Sequence, residues 1–284
     1  MKILILGHGK SGTTVFLFKV AGGLPNCKAY PGGHPGKYVG DYENAVYKHT
    51  YNERKGRTFD AYMDHFAEID YDRKIWMARD PRDVAVSQML YRWHKGHWGY
   101  TKQYRAHLEL VQKKERDPSS VPFHNLCRYT GYDGWPISTE EALKEEQFCY
   151  QQMCDFVENL GNDWFIFKYE DMIEKNLDAL HEYLGFRIKD EAEIPAIKQQ
   201  AKVARKKASG DWRQWFTGED VKLFKPLYAP YMELIGYDCD DWNISPEAKI
   251  EPEFASLYIK GLVRKNTLNT LRSFKLLRPF IKSS

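Results

Sequence analysis

The 284-residue chain has no long hydrophobic run. Its first apolar stretch, Ile3 to Leu6, is far too short for a signal peptide or a membrane span. Cysteine is sparse. The five (Cys27, Cys127, Cys149, Cys154 and Cys239) are odd in number and show no repeated Cys-x-x-Cys spacing. This argues against a disulfide framework or a structural zinc site and for a reducing compartment. There is no internal repeat and no low-complexity segment, so solenoid and collagen-like architectures fall away. Acid is missing from the C-terminal tail. From Phe254 to Ser284 there is no Asp or Glu, while seven of the 42 Lys and Arg residues lie there. The rest of the chain therefore carries 35 basic against 39 acidic residues, a net of −4.

What remains is ordinary globular material: 43% hydrophobic and 29% charged residues, enough to bury a core without covalent staples. The length suits one large α/β domain or two smaller ones. The acid-free tail can contact nucleic acid, anionic lipid or an acidic partner, or pack on the body as a solvated basic helix.

Periodicity gives an alternation of strand and helix. Lys2–Leu6 reads as a buried strand, followed by Gly7-His8-Gly9-Lys10-Ser11-Gly12-Thr13-Thr14 and then by the helical run from Val15. Residues 21–40, rich in Gly and Pro, read as loop. Ala45–Tyr47 reads as a short strand ending at Lys48-His49. Lys74–Ala78 is a strand that ends in Arg79, with Asp80 able to cap and Pro81 able to open the next helix. Residues 92–137 read as a helical insertion. Ser138 with Glu141 is a capping-box pattern that opens a helix running to Leu160. Trp164–Tyr169 is a third clear strand, followed by a helix over about Asn176 to Leu184 that Gly185 stops. Strands separated by helices predict βαβ units and a parallel sheet. Lys10, Arg79 and Tyr169 then fall at the C-terminal strand ends, the edge where open α/β sheets bind ligands.

Three segments suit an anionic ligand. The loop Gly7 to Thr14 is shaped like a P-loop, but Thr13 stands where a phosphoryl-transferring P-loop has its lysine. Backbone amides, the following helix N-terminus, Lys10 and the hydroxyls of Ser11, Thr13 and Thr14 can still cradle an anion. Arg79, with Ser87 eight residues on, can meet a second phosphate. Arg205-Lys206-Lys207 ahead of Gly210-Asp211-Trp212 forms a basic loop.

Lys10-Ser-Gly-Thr-Thr14, Arg79-x7-Ser87 with its Arg-Asp-Val-Ala-Val-Ser core, Phe167-Lys-Tyr-Glu-Asp-Met172, and Arg205-Lys-x-x-x-Gly-Asp-Trp212 occur in that order. Together they resemble the sulfotransferases that use 3′-phosphoadenosine 5′-phosphosulfate (PAPS), over roughly residues 1–220. The resemblance implies a P-loop-like three-layer α/β domain over 1–250, with a central parallel sheet flanked by helices. The helical insertion 92–137 then lies on the acceptor side, and 251–284 form a basic helical extension. It implies PAPS as donor and 3′,5′-adenosine bisphosphate (PAP) as product, with no metal. Lys10 then stabilises the leaving phosphate, and Ser11, Gly12, Thr13 and Thr14 donate to the 5′ end. Arg79, Ser87, Arg205 and Lys206 match the 3′-phosphate ligands, and Tyr169 lies near the adenosine. Three positions depart from the family pattern. Val15 and Phe16 follow the Thr-Thr pair where Trp is common. Lys207 replaces a glycine. Arg213-x3-Thr217-Gly218-x3-Lys222 stands where cytosolic members carry a dimer motif, so the oligomeric state stays open.

The acceptor must lose a proton, and a base in reach contributes ~10²–10⁴-fold. His49 is the preferred base with Lys48 as accessory cation, and His65, Glu43 and Asp41 are rivals. Residues 91–135 are rich in aromatics, among them Trp93 and Trp98 interleaved with His94 and His97, a set that suits a sugar-like acceptor or an aromatic mini-core. His94 and His97 have no third ligand for a metal. The expected activity is sulfuryl transfer to a hydroxyl or amine, with a carbohydrate or glycolipid acceptor, in the cytoplasm. No nucleic-acid partner is expected. Leu268, Leu271, Phe274, Leu277 and Ile281 make an apolar stripe beside the tail's cations that can touch membrane or dock on the core. The alternatives are a P-loop small-molecule kinase and a non-catalytic nucleotide-binding module on the same fold.

Overall fold

The computed structural model of the protein describes residues 1–32, 42–51, 59–95, 102–129, 136–191 and 209–273. Two compact units account for them. One comprises residues 1–84, 146–195 and 226–241, and the other residues 85–145, 196–225 and 242–284.

The first unit is built on five parallel strands. These are β1 (Lys2–His8), β2 (Cys27–Tyr30), β3 (Asn44–Tyr51), β4 (Arg73–Ala78) and β5 (Trp164–Lys168), in the order β2-β3-β1-β4-β5. Strand β1 is central because Ile3, Leu4, Ile5 and Leu6 are apolar on both faces, and all four are fully buried. Each such side chain contributes about 1.5–3 kcal/mol relative to exposure. Helix α1 (Thr13–Gly22) covers one face of the sheet. Phe16, Leu17 and Val20 there join Ile3, Ile5, Val46, Ile75, Met77 and Phe167 in one core. Helices α7 (Tyr169–Glu174) and α8 (Asp178–Leu184) add Met172, Leu180 and Leu184 to it. On the opposite face Trp76 meets the ring of Phe156 at 5.2 Å and donates its indole N–H to the Tyr231 hydroxyl at 3.3 Å. This is the predicted layered α/β class with a parallel sheet.

Three local readings change. A short strand, β2, forms inside the Gly- and Pro-rich stretch read as loop. It is an edge strand that needs a partner on one side only, which it finds in β3. Strand β3 continues past Tyr47 to Tyr51, because β1 pairs with it along its whole length, from Lys2 opposite Ala45 to His8 opposite Tyr51. Lys48 and His49 therefore lie inside a strand rather than after one. Tyr169 opens α7 instead of ending β5.

Local chemistry explains the other boundaries. Asp80 accepts the Arg82 backbone N–H at 2.9 Å at the start of α3 (Pro81–Tyr91). The Ser138–Glu141 box closes reciprocally, Ser138 N–H to the Glu141 carboxylate at 2.8 Å and Glu141 N–H to Ser138 Oγ at 3.1 Å. It opens α6 (Thr139–Glu158). Gly185, at φ 77°, terminates α8 in the left-handed conformation.

The second unit is helical among its described residues. It contains α4 (Lys102–Arg116), α5 (Phe123–Cys127), α9 (Trp212–Trp215), the start of α10 (Gly218–Leu234) and α11 (Ser256–Ser273). Its centre is the fully buried Asp220 carboxylate. It accepts from Phe123 N–H at 2.8 Å, His124 N–H at 2.9 Å, His124 Nδ1 at 2.8 Å, and Thr217 N–H and hydroxyl, each at 2.7 Å. Thr217 and Asp220 thus cap α10. No helix among the described residues is long and apolar enough to cross a membrane.

Candidate functional site

In the first unit, β1, β4 and β5 are adjacent and parallel, so their C-terminal ends share one edge. Chain order also reverses there: β2 and β3 lie to one side of β1, and β4 and β5 to the other. That is the topological switch point of an open α/β sheet. Lys10 follows β1 by two residues, and Arg79 and Tyr169 directly follow β4 and β5.

The loop after β1 is held tightly. Ser11 gives both its N–H (3.2 Å) and its hydroxyl (2.7 Å) to the His8 carbonyl. Lys10 adopts φ 75° and Gly12 φ 87°, both left-handed. For lysine that conformation costs roughly 1–2 kcal/mol, strain of the kind stored at binding loops. A Cβ at Gly12 would stand 2.5 Å from Cδ2 of Tyr169, and one at Gly7 would stand 2.6 Å from the Met77 carbonyl. Only glycine lets this loop lie against the ends of β4 and β5. The turn then delivers the first amides of α1, which have no intrahelical acceptors, toward one point.

Arg79 connects the three strand ends. Its guanidinium donates to the Lys10 carbonyl at 3.0 Å and lies 4.2 Å from the centre of the Tyr169 ring. Beneath it the β4–α3 turn is clamped. Arg82 Nε donates to both Asp80 oxygens at 2.9 and 3.1 Å, its Nη2 donates to Oδ2 at 2.7 Å, and its Nη1 reaches the Asp241 carbonyl. The Asp80 N–H donates to Glu170 at 3.2 Å, and Glu170 also accepts the Tyr237 hydroxyl. Burial, with the nearby Asp80 carboxylate adding to it, raises the Glu170 pKa above its ordinary value. Glu170 is the middle residue of the Tyr-Glu-Asp motif, and that motif was the only signal pointing to it. Nothing in the sequence pointed to Tyr237.

The remaining expected residues divide. Thr13 is buried and Thr14 half-buried in the first turn of α1. Ser11 was expected to donate to a ligand, but in this loop both of its donors serve the turn. Lys48 and His49 sit in β3, and the strand pleat sends them to opposite faces. His49 packs edge-on against Tyr62 of α2 (Phe59–Met63) at 6.0 Å and against Phe66 at 5.2 Å. Lys48 shares the face of Val46, on the α1 side, and burial lowers its pKa. Thr50, two residues on along that face, lies within 3.8 Å of the Cβ position of Gly9. The side chains of the expected base and its accessory cation therefore leave β3 on opposite faces. Glu43 is exposed ahead of β3, and its carbonyl accepts the N-terminal ammonium at 2.7 Å.

In the second unit, Ser87 is buried on α3. Trp93 is also buried, with its indole N–H given to His107 Nδ1 at 2.8 Å and Tyr104 edge-on at 5.5 Å, which is the mini-core arrangement. His94 stacks on Tyr91 with ring centres 4.1 Å apart. Arg205, Lys206, His97, Trp98 and Asp41 lie outside the described residues, as does the side chain of His65. Among the described residues no group of three or more His, Cys, Asp and Glu is placed to hold a metal ion.

A parallel α/β unit with an anion-shaped loop at its switch point is thus the class that the geometry defines. No protein-family model matches the chain. No curated protein matches it by sequence either. A solved structure, mouse sulfotransferase SULT7A1 complexed with PAP, is similar at 17% identity and a TM-score of 0.44, covering 81% of this chain and 83% of that one.

Proposed function

We propose that the protein transfers a sulfuryl group from PAPS to a hydroxyl or amine of an acceptor, leaving PAP. The observation that carries this reading is the convergence of the Gly7–Thr14 loop, Arg79 and Tyr169 at one sheet edge, with Thr13 in place of the lysine that phosphoryl transfer requires. The fit to the donor rests on the same residues. The loop has the tight backbone and amide-rich start of a phosphate cradle, and an arginine and an aromatic ring lie side by side at its rim. PAPS, when bound, supplies the activated sulfuryl group on a phosphosulfate anhydride. The amides of Gly12, Thr13 and Thr14 hold anionic oxygens, and the Lys10 ammonium stabilises the negative charge that builds as the bond to sulfur breaks. Arg79 takes a phosphate while keeping the loop on Tyr169. Ser87, Arg205 and Lys206 carry the roles that the resemblance implies and are tested by substitution. His49 takes the acceptor proton, and Lys48 acts from its own face of β3. The acceptor class, a carbohydrate or glycolipid, rests on the aromatic and polar composition of residues 91–135.

Calorimetric titration with PAP, beside ATP with magnesium, tests the donor site. PAP is expected to bind without magnesium, at least tenfold more weakly in Arg79→Ala. Arg79→Lys keeps the charge but cannot both bridge to the Lys10 carbonyl and lie flat on Tyr169, so it is expected to restore little. Binding of magnesium-ATP alone would overturn the proposal in favour of a kinase. For the base, His49→Ala is expected to lower turnover by ~10²–10⁴-fold with PAP affinity unchanged. Full turnover in that variant would remove His49 from the mechanism and leave Lys48→Ala as the next test.

A further inference from the structure

Nothing in the proposed reaction uses Tyr237, yet its hydroxyl reaches into the turn that carries Arg79. Its backbone is fixed first. Helix α10 ends in the left-handed Gly236 (φ 71°), and the Tyr237 N–H closes that end on the Met232 carbonyl at 2.8 Å. Lys168, the last residue of β5, ties the segment to the sheet. Its ammonium donates to the Gly236 carbonyl at 2.6 Å and lies 4.8 Å from the centre of the Tyr237 ring. None of these contacts involves the Tyr237 hydroxyl, so the ring reaches its place without it.

The hydroxyl donates to one oxygen of Glu170, and the other oxygen accepts the Asp80 N–H at 3.2 Å. Burial raises the pKa of both groups. The hydroxyl therefore keeps its proton, and its hydrogen bond is the largest influence holding the Glu170 pKa down against that burial. An acceptor that stays charged bonds the Asp80 amide more firmly than a neutral one. Asp80 is thus gripped from two sides, its carboxylate by Arg82 and its N–H by Glu170. Arg79 precedes Asp80 in the chain, and Tyr169 precedes Glu170. One hydrogen bond between these chain neighbours therefore sets how Arg79 and Tyr169 meet at the edge, with the guanidinium 4.2 Å from the ring centre. A pair aimed in advance loses less freedom when an anion binds.

We infer that Tyr237 is a positioning residue of this edge, acting through Glu170 and the Asp80 N–H to aim Arg79 at a phosphate. The identity of that phosphate rests on the proposed function, and the aiming itself does not. The test pairs amide hydrogen exchange of the free protein with calorimetric titration of PAP and of adenosine 5′-monophosphate. Tyr237→Phe keeps the ring, the Gly236 cap and the Lys168 contact, so the fold is expected to survive. The Asp80 amide and the Gly7–Thr14 loop are expected to exchange about fivefold faster or more, with the β1 amides unchanged. PAP affinity is expected to fall about fivefold or more. Affinity for the monophosphate, which lacks the 3′-phosphate assigned to Arg79, is expected to change by less than about twofold. Glu170→Ala removes the acceptor itself and is expected to reproduce both effects. In an Arg79→Ala background, Tyr237→Phe is expected to alter PAP affinity by less than about twofold, since no guanidinium remains to be aimed. Unchanged exchange at Asp80, or losses of PAP affinity that simply add in Arg79→Ala, would overturn the inference. So would equal losses for PAP and the monophosphate, the mark of general loosening. Failure of the wild type to bind PAP would instead overturn the donor reading, and the exchange comparison would then decide the inference alone.

Discussion

Replacing Gly12 by alanine tests whether the loop owes its shape to contact with Tyr169. Two penalties add at this position. The backbone stands at φ 87°, which costs a residue with a Cβ roughly 1–2 kcal/mol. The new methyl would also stand 2.5 and 2.8 Å from Cδ2 and Cε2 of Tyr169, inside any tolerable contact. The ring cannot retreat freely, since the Arg79 guanidinium lies 4.2 Å from its centre and is bonded to the same loop. Overpacking of this kind costs typically about 1–3 kcal/mol. The expected loss is therefore about 3 kcal/mol, and at roughly 2 °C per kcal/mol the melting temperature should fall by about 6 °C. Gly9→Ala is the internal control. Its Cβ would meet only Thr50 Cγ2 at 3.8 Å, an ordinary contact, and its φ lies outside the left-handed region, so a change within about 0.5 kcal/mol is expected. Tyr169→Ala removes the clash but not the backbone cost. In a double-mutant cycle followed by urea unfolding, Gly12→Ala should thus be less harmful by at least about 1 kcal/mol when Tyr169 is absent. Equal stability of the Gly12 and Gly9 variants, or an additive cycle, would refute the argument that Tyr169 shapes the loop.

Two buried charges in the helical unit give further tests. Asp220→Ala leaves the buried amides of Phe123, His124 and Thr217 without their acceptor and is expected to cost about 3–5 kcal/mol in urea unfolding. Burial alone would raise the Asp220 pKa, but the hydrogen bonds from His124, Phe123 and Thr217 outweigh it and hold the pKa below its ordinary 3.8. Its stabilisation is therefore present above that pH and lost as pH falls through the depressed value. The stability gap between wild type and Asp220→Asn should narrow below about pH 4, and a gap that widens there would refute the assignment. Lys114, fully buried, donates to the Pro118 and Val121 carbonyls at 2.6 and 2.5 Å. Burial lowers its pKa from 10.5 to about 8, against the opposing pull of Asp220 and Asp117. The unfolded chain then binds more protons between those two values, so the stability of wild type relative to Lys114→Met should rise between pH 8 and 10.5, by up to ~3 kcal/mol. A flat difference across that range would refute it.

Much of the site can be read along the chain because its determinants are local. Apolar runs without polar interruption mark β1 and β4 as strands buried on both faces. The glycines and hydroxyls of residues 7–14 mark a turn into a helix, Ser138 with Glu141 marks a helix start, and Gly185 marks a stop. Each is settled within four or five residues by backbone sterics and capping. Strand ends followed by Lys10, Arg79 and Tyr169 made a shared edge foreseeable, since parallel strands align their C-termini.

Tertiary structure decided the rest. Pairing along all of β1 pulled Lys48 and His49 into β3, and the pleat then divided them between two faces. Edge pairing with β3 made a strand of Cys27–Tyr30, a stretch whose composition reads as loop. The carboxylate of Glu170, the hydroxyl of Tyr237 and the guanidinium of Arg82 meet around Asp80 from segments as much as 157 residues apart in sequence. Trp93 could have faced a ligand or the interior, and its indole N–H found His107. The sequence by itself determined where the chain turns and which residues its strands deliver to the edge, because those depend on local sterics and periodicity. Which neighbour each side chain meets, and so whether it binds a ligand or holds the fold, was decided only by the packing of distant segments.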